Sequence, residues 1–220
     1  MPKTIIIFFG PPGSGKGTQA EMLTKKTDWK KISTGDLFRA EIAAGTKLGK
    51  SADKYIKAGK LVPDKVTISL VEKNLKQKAS GFIFDGFPRN RRQLNDLSVV
   101  FKNVLKKNDI VYAIEVAVGD SEVRQRLGKR RVSSCGAVYH LVYNPPINEG
   151  ICDICGDKLL IREDDKPKVI ARRLKLYHGE SEPILDYWHK QGKLIKINGE
   201  QPIKKIHEEI MGKLKELKLI

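Results

Sequence analysis

"FFGPPGSGKGTQA", residues 8–20, sets four glycines and two prolines between an apolar run and a stretch that favours helix. The run before it, "TIIIFF" (4–9), is β-branched and aromatic with no polar break inside it. That is the pattern of a strand buried on both faces of a parallel sheet. After it, "TQAEMLTKK" (18–26) puts Ala20, Leu23 and Thr24 on one helical face. Strand, glycine loop and helix together form the context of a phosphate-binding loop. Gly10 to Thr18 fits G-x-x-x-x-G-K, with the hydroxyl residue one place later than usual. Such a loop turns successive N–H groups inward around phosphate oxygens, which needs positive φ and an approach that side chains would block. The helix N-terminus faces the same anion. Lys16 then serves the outer phosphates as a point charge, and Thr18 faces phosphate or a hydrated metal. A tight strand-to-helix connection alone would account for the glycines but not for the lysine.

Outward from the loop, "GFIFDGF" (81–87), "DIVYAIEVAV" (109–118) and "GKLIKING" (192–199) read as further strands, the last before the helical "PIKKIHEEIMGKLKELKLI" (202–220). Strands alternating with helices predict an α/β fold, a parallel sheet flanked by crossover helices. In open sheets of this kind ligands bind at the carboxyl ends of the strands, where residues 10–18 and 85–89 emerge. Residues 128–165 break the rhythm: they hold all three cysteines and the Pro145-Pro146 pair, and read as a small β-rich insertion. A chain of 220 residues is within reach of one main core.

Apolar residues at 40% and charged ones at 31% describe an ordinary globular protein. No apolar run approaches the ~18 residues of a membrane span, and "MPKTIIIFFG" is too short for a signal peptide, so a cytoplasmic protein is expected. The formal charge of +16 fits either a nucleic-acid partner or solvated helix faces. The lysines run along the whole chain rather than in one block, which favours the second reading. Duplex DNA at physiological salt is then expected to bind no more tightly than roughly 10⁻⁴ to 10⁻⁶ M, and sequence-selective binding by fluorescence anisotropy would reverse that reading.

The loop "FDGFPRNRRQ" (84–93) narrows the nucleotide reading, because an acid at a strand end can order a hydrated magnesium and Arg89 can fork onto phosphate oxygens. "GPPGSGKGTQA", "ISTGDLFRAEI" (32–42), "DGFPRNRRQ", "YHLVYNPP" (139–146) and "REDDKPKVIARRL" (162–174) occur in this order along nearly the whole chain. Together they resemble the adenylate kinase family in its long-lid form. The resemblance implies a core of residues 1–32, 63–127 and 166–220, an AMP-binding subdomain of 33–62 and a lid of 128–165. It implies γ-phosphoryl transfer from ATP to AMP, giving two ADP, with Mg2+ on the nucleotide. It assigns Lys16, Asp85, Arg89, Arg130, Arg162 and Arg173 to catalysis. Gly13, Ser14, Gly15, Lys16, Gly17, Thr18, Arg126 and Gln201 would bind ATP. Thr34, Arg39, Lys60, Val62, Gly86, Arg89 and Gln93 would bind AMP. A monomer is expected, with no membrane and no specific nucleic acid among its partners. A kinase for another nucleoside monophosphate would share most of these motifs, and Thr34, Gln93 and the long lid favour AMP.

Two departures from the family pattern stand out. Where the family shows Gly-Arg-Arg ahead of the lid, this chain has "RLGKRRVSSCG", one residue short, so Lys129 or Arg130 fills the catalytic position. Arg130 is favoured, because lysine cannot grip phosphate in two places. Cys135 and Cys152-Asp153-Ile154-Cys155 match three of the four zinc ligands of the family's metal-binding lids. Val132 falls at the fourth position, leaving Ser133, His140 or water to complete a Zn2+ site. A metal-free lid with three reduced thiols is the alternative.

Overall fold

The computed structural model describes residues 2–220. The apolar run forms β1 (Thr4–Phe9), every residue of it buried. It lies at the centre of a five-stranded parallel sheet of order β2 (Lys30–Ser33), β3 (Gly81–Asp85), β1, β4 (Ile110–Ala117), β7 (Leu194–Asn198). Alternate residues of β1 face opposite layers, as the period of a strand requires. Ile5, Ile7 and Phe9 pack with Phe82, Phe84 and Leu94 on one side, and Ile6 and Phe8 with Leu23, Ile206 and Ile210 on the other. Each fully buried side chain of this size contributes roughly 1.5–3 kcal/mol of transfer free energy, and this double burial fixes the strand's register.

The second layer holds α4 (Asp64–Leu75), α5 (Arg91–Val104) and α8 (Leu185–Lys190) on one face of the sheet, with α1 (Lys16–Thr24) and α9 (Ile203–Glu216) on the other. Helices α2 (Thr34–Ala43) and α3 (Lys47–Lys57) share a separate small core of Phe38, Ala52 and Val62. Helices α6 (Asp120–Lys129) and α7 (Pro167–Leu176) pack through Val123, Leu127, Ile170 and Leu174. The cysteine-bearing segment leaves from α6 and returns into α7. Its regular structure is confined to β5 (Arg130–Val132) and β6 (Val138–His140), an antiparallel pair, with isolated bridges such as Ile151 to Lys158. No helix among the described residues is long and apolar enough to cross a membrane.

Beyond α7 the chain makes a π turn, Tyr177–Ser181, and there His178 ties the two helices that carry the insertion. Its Nε2 lies 2.9 Å from Asp120 Oδ1 at the start of α6, and its Nδ1 lies 2.7 Å from Glu182 Oε2. A carboxylate at each nitrogen favours the doubly protonated, charged ring. The bonds to Glu182 and Asp120 push its pKa up from the ordinary 6.5. The linkage sign follows: the contribution is complete below pH 6.5 and fades as pH rises through the raised value. His178→Gln is therefore expected to lower the melting temperature more at pH 6 than at pH 8.5. An equal loss at both would show that no charge is involved.

Candidate active site

The glycine loop is shaped by two contacts. Gly10 has φ +139°, and a Cβ there would sit 2.4 Å from the Val116 carbonyl oxygen, so neither the backbone angle nor the space admits another residue. Gly15, at φ +96°, is the left-handed residue that ends the loop and caps α1. The helix starts at Lys16, two residues earlier than its apolar spacing suggests. Lys16 Nζ donates to the carbonyls of Gly10 (2.8 Å) and Pro11 (2.7 Å) and to Ser14 Oγ (3.3 Å), which folds the ammonium back over its own loop. A Cβ on Gly17 would lie 3.1 Å from Asp85 Oδ2, which places that carboxylate against the start of α1.

Register brings the second and third motifs to the same edge. Phe8 pairs with Asp85, and Asp85 with Ser33, so β1, β3 and β2 end side by side. Ser33 Oγ donates to Asp85 Oδ2 (3.4 Å), and its oxygen caps α2 by accepting from the Asp36 N–H. Thr34 Oγ1 donates to the Gly86 carbonyl (3.0 Å), which also accepts from Arg89 Nε (2.5 Å). Gln93 is buried, its Oε1 accepting from the Arg89 N–H (2.7 Å) and its Nε2 donating to Asp64 Oδ1 (2.8 Å). Arg39 pairs with Asp36 one turn away. Val62 is buried and Lys60 exposed. Leu61, Val62, Asp64 and Arg92 line a cleft of about 440 Å³ beside them.

The arginines converge on this edge. Arg130 grips Asp165 with Nε (2.7 Å) and Nη2 (2.5 Å), and Arg173 Nη1 reaches Asp165 Oδ1 (3.2 Å) and Asp164 Oδ2 (2.9 Å). Arg162 Nε is buried with no hydrogen-bond partner among the described residues. Burial first, and then neighbouring arginines, push Lys16 down to about 7, Arg162 to about 9 and Arg89 to about 10. A set of cations that depress one another, with one guanidinium N–H unanswered, is arranged for a multiply charged anion. Of Lys129 and Arg130, the arginine stands in this group and the lysine is exposed. Asp164 and Asp165 were not among the sequence candidates. Their signal is the run of three acids after Arg162, Glu163-Asp164-Asp165, but their partners are assembled only by the fold.

Arg126 of α6 connects the loop to its surroundings. It donates from Nη1 to the Ser14 carbonyl (3.4 Å) and from Nη2 to the Gly199 carbonyl (2.9 Å), pairs with Glu122 (2.7 Å), and lies 5.8 Å from the Tyr143 ring. Gln201 bonds to the Asn198 carbonyl and to Glu209, both at 3.1 Å, and Thr18 is exposed.

The cysteines form a separate cluster in the insertion. The sulfurs of Cys135, Cys152 and Cys155 all lie within 4.8 Å of one another, and Ser133 Oγ is 3.0 Å from Cys155 Sγ. His140 is turned elsewhere, its Nδ1 accepting from the N–H groups of Val142 and Tyr143 and its ring stacked on Tyr143.

Residues 8–193 match the family model described as adenylate kinase. The chain is 42% identical over 212 residues to the adenylate kinase of Methanosarcina barkeri, covering 96% of this chain and 98% of that relative. It is 44% identical to the adenylate kinase of Methanothrix thermoacetophila, over 93% of this chain and 95% of the relative. To that of Archaeoglobus fulgidus it is also 44% identical, over 97% of this chain and 99% of the relative.

Proposed function

The chain belongs to the adenylate kinase family, and on that premise we propose that it reversibly transfers the γ-phosphoryl group of ATP to AMP, releasing two ADP. The observation that carries the reading is the convergence of Lys16, Arg89, Arg130, Arg162 and Arg173 beside a phosphate loop, with Arg162 Nε unpartnered. Phosphoryl transfer passes through a loose transition state with charge spread over the equatorial oxygens, so positioning and fixed positive charge supply most of the catalysis. In this mechanism the N–H groups of residues 13–18 and the Lys16 ammonium hold the donor phosphates, Lys16 leaving the Gly10 and Pro11 carbonyls to do so. Arg89, held by Gly86, spans acceptor and transferred phosphate, and Arg39 exchanges Asp36 for the acceptor's phosphate. Arg130, Arg162 and Arg173 close over the transferring group. Thr34, Gly86, Lys60, Val62 and Gln93 form the AMP side, and Arg126 and Gln201 the adenine side of ATP. Segment 33–62 moves as the AMP-binding part, and 128–165 as a lid that excludes water from the site. One chain supplies every group, so a monomer suffices.

Asp85 lies against the entry to α1, its charge felt by Lys16 and Arg89, a position that suits the water shell of a hard cation. Mg2+ bound with the nucleotide would neutralise phosphate charge, and Asp85 and Thr18 would hold its hydration shell. The three thiols and Ser133 suit Zn2+, a structural ion tying the halves of the lid. Protein purified without added metal is expected to contain near-stoichiometric zinc that is lost in the Cys152→Ser, Cys155→Ser variant. No zinc, with an unchanged melting temperature after chelation, would remove the metal from the account.

The deciding experiment offers AMP, GMP, CMP and UMP in turn with ATP and measures ADP formation. AMP is expected to be the preferred acceptor by a wide margin. Preference for another monophosphate would move the assignment to a neighbouring specificity, and no transfer to any would end it.

A further inference from the structure

Within the three-sulfur cluster, Cys135 and Cys152 make a direct sulfur–sulfur contact. It measures 3.7 Å, although the two residues come from opposite halves of the insertion, 17 positions apart. Cys135 is exposed, on the turn closed by the Ser133 N–H to Ala137 carbonyl bond, whereas Cys152 is 2% exposed. Cys152 Sγ is held by the Tyr139 hydroxyl at 3.5 Å and the Ile154 N–H at 3.4 Å. One sulfur is open to solvent reagents, and the other is fixed behind it within reach.

From this geometry we infer that the insertion carries an oxidisable dithiol, in which hydrogen peroxide converts Cys135 and Cys152 to a reversible disulfide. The exposed Cys135 sulfur attacks a peroxide oxygen, the O–O bond breaks, and the products are a sulfenic acid and water. The Cys152 sulfur then attacks the Cys135 sulfur, forming the S–S bond and expelling the sulfenic oxygen as a second water. The two sulfurs together lose two electrons, and the peroxide gains them. Cys135, exposed on its turn, shifts from 3.7 Å into bonding distance. In this proposal Cys155, whose sulfur lies 3.0 Å from the Ser133 hydroxyl, keeps its free thiol. The inference is independent of the zinc reading: where zinc occupies the cluster, the same oxidation removes two of its thiolates and expels the ion.

The test treats the full chain with hydrogen peroxide and counts thiols. The titre is expected to fall from three to one, with a mass loss of two hydrogen atoms, and dithiothreitol should restore it. No lysine or arginine lies between Arg131 and Lys158, so trypsin leaves all three cysteines on one peptide. Chymotryptic cleavage after Tyr143 separates Cys135 and reveals the bridge. Cys155→Ser should still form the bridge, and Cys135→Ser should retain both remaining thiols. Oxygen adducts on unlinked cysteines, or a bridge between Cys152 and Cys155, would overturn the inference. A chromogenic chelator read in the same sample separates the outcomes. A bridge formed with no zinc released counts against the metal alone, and zinc present with no bridge counts against the dithiol alone.

Discussion

Lys16→Met is expected to lower turnover by at least roughly a hundredfold, the scale of losing one preorganised charge aimed at a transition state. Methionine keeps the unbranched stem and the helix start, so the loop should survive: Gly10 and Gly15 shape it through backbone angles that do not depend on the side chain at position 16. What is lost is an ammonium that burial above all, and then Arg89, Arg173 and Arg130, bring to about 7 against the opposing charge of Asp85. An incoming polyphosphate offsets that field on binding, so the charge of Lys16 is favoured where the charge of the transferring group is redistributed. The deficit should therefore appear mainly in kcat. Unchanged circular dichroism with turnover near that of the unsubstituted protein would remove Lys16 from the mechanism, and Arg89→Ala, expected to lose a similar factor, provides an independent check on the same site.

The loop around Lys16 was legible because its constraints are local. Strand, positive-φ glycines and helix lie within one short stretch, and each residue type reports its own backbone requirement. The sheet was legible where strands are buried on both faces, as in β1, β3 and β4. β2 was not anticipated, since "KKIS" sits at the sheet's edge with both lysines exposed and only Ile32 and Ser33 buried, too short a signal to set a period. The insertion carries the strands its sequence predicts, as a short antiparallel pair with isolated bridges, and turns link them. Family resemblance named the arginines, and the fold explains how they coexist. Arg130 and Arg173 are 43 positions apart and share one carboxylate, a relation that no local pattern contains.

That carboxylate is where the largest structural effect is expected. The Asp165 side chain is fully buried and accepts from Arg130 Nε and Nη2 and from Arg173 Nη1. Asp165→Asn keeps the shape, but it removes the charge and turns amide hydrogens toward guanidinium groups that can only donate. Removing one member of a buried ion pair costs about 3–5 kcal/mol, which for a domain of this size lowers Tm on the order of 10 °C. Asp164 still pairs with Arg173 at 2.9 Å, so the loss should fall toward the lower end and the chain should remain folded at 25 °C. Turnover is expected to drop by roughly ten- to a hundredfold even there, because a displacement of about 1 Å in a group that positions the reacting atoms costs on that scale. A purely structural role predicts a different pattern, with Tm falling while kcat per folded molecule stays unchanged. Asp165→Glu separates the two accounts: it restores the charge at a shifted position, so Tm should recover in large part while kcat stays depressed, since the arginines are again paired but no longer aimed. If Asp165→Asn keeps both Tm and kcat, the shared carboxylate neither stabilises the site nor orients its arginines, and the convergence seen at this sheet edge needs another cause.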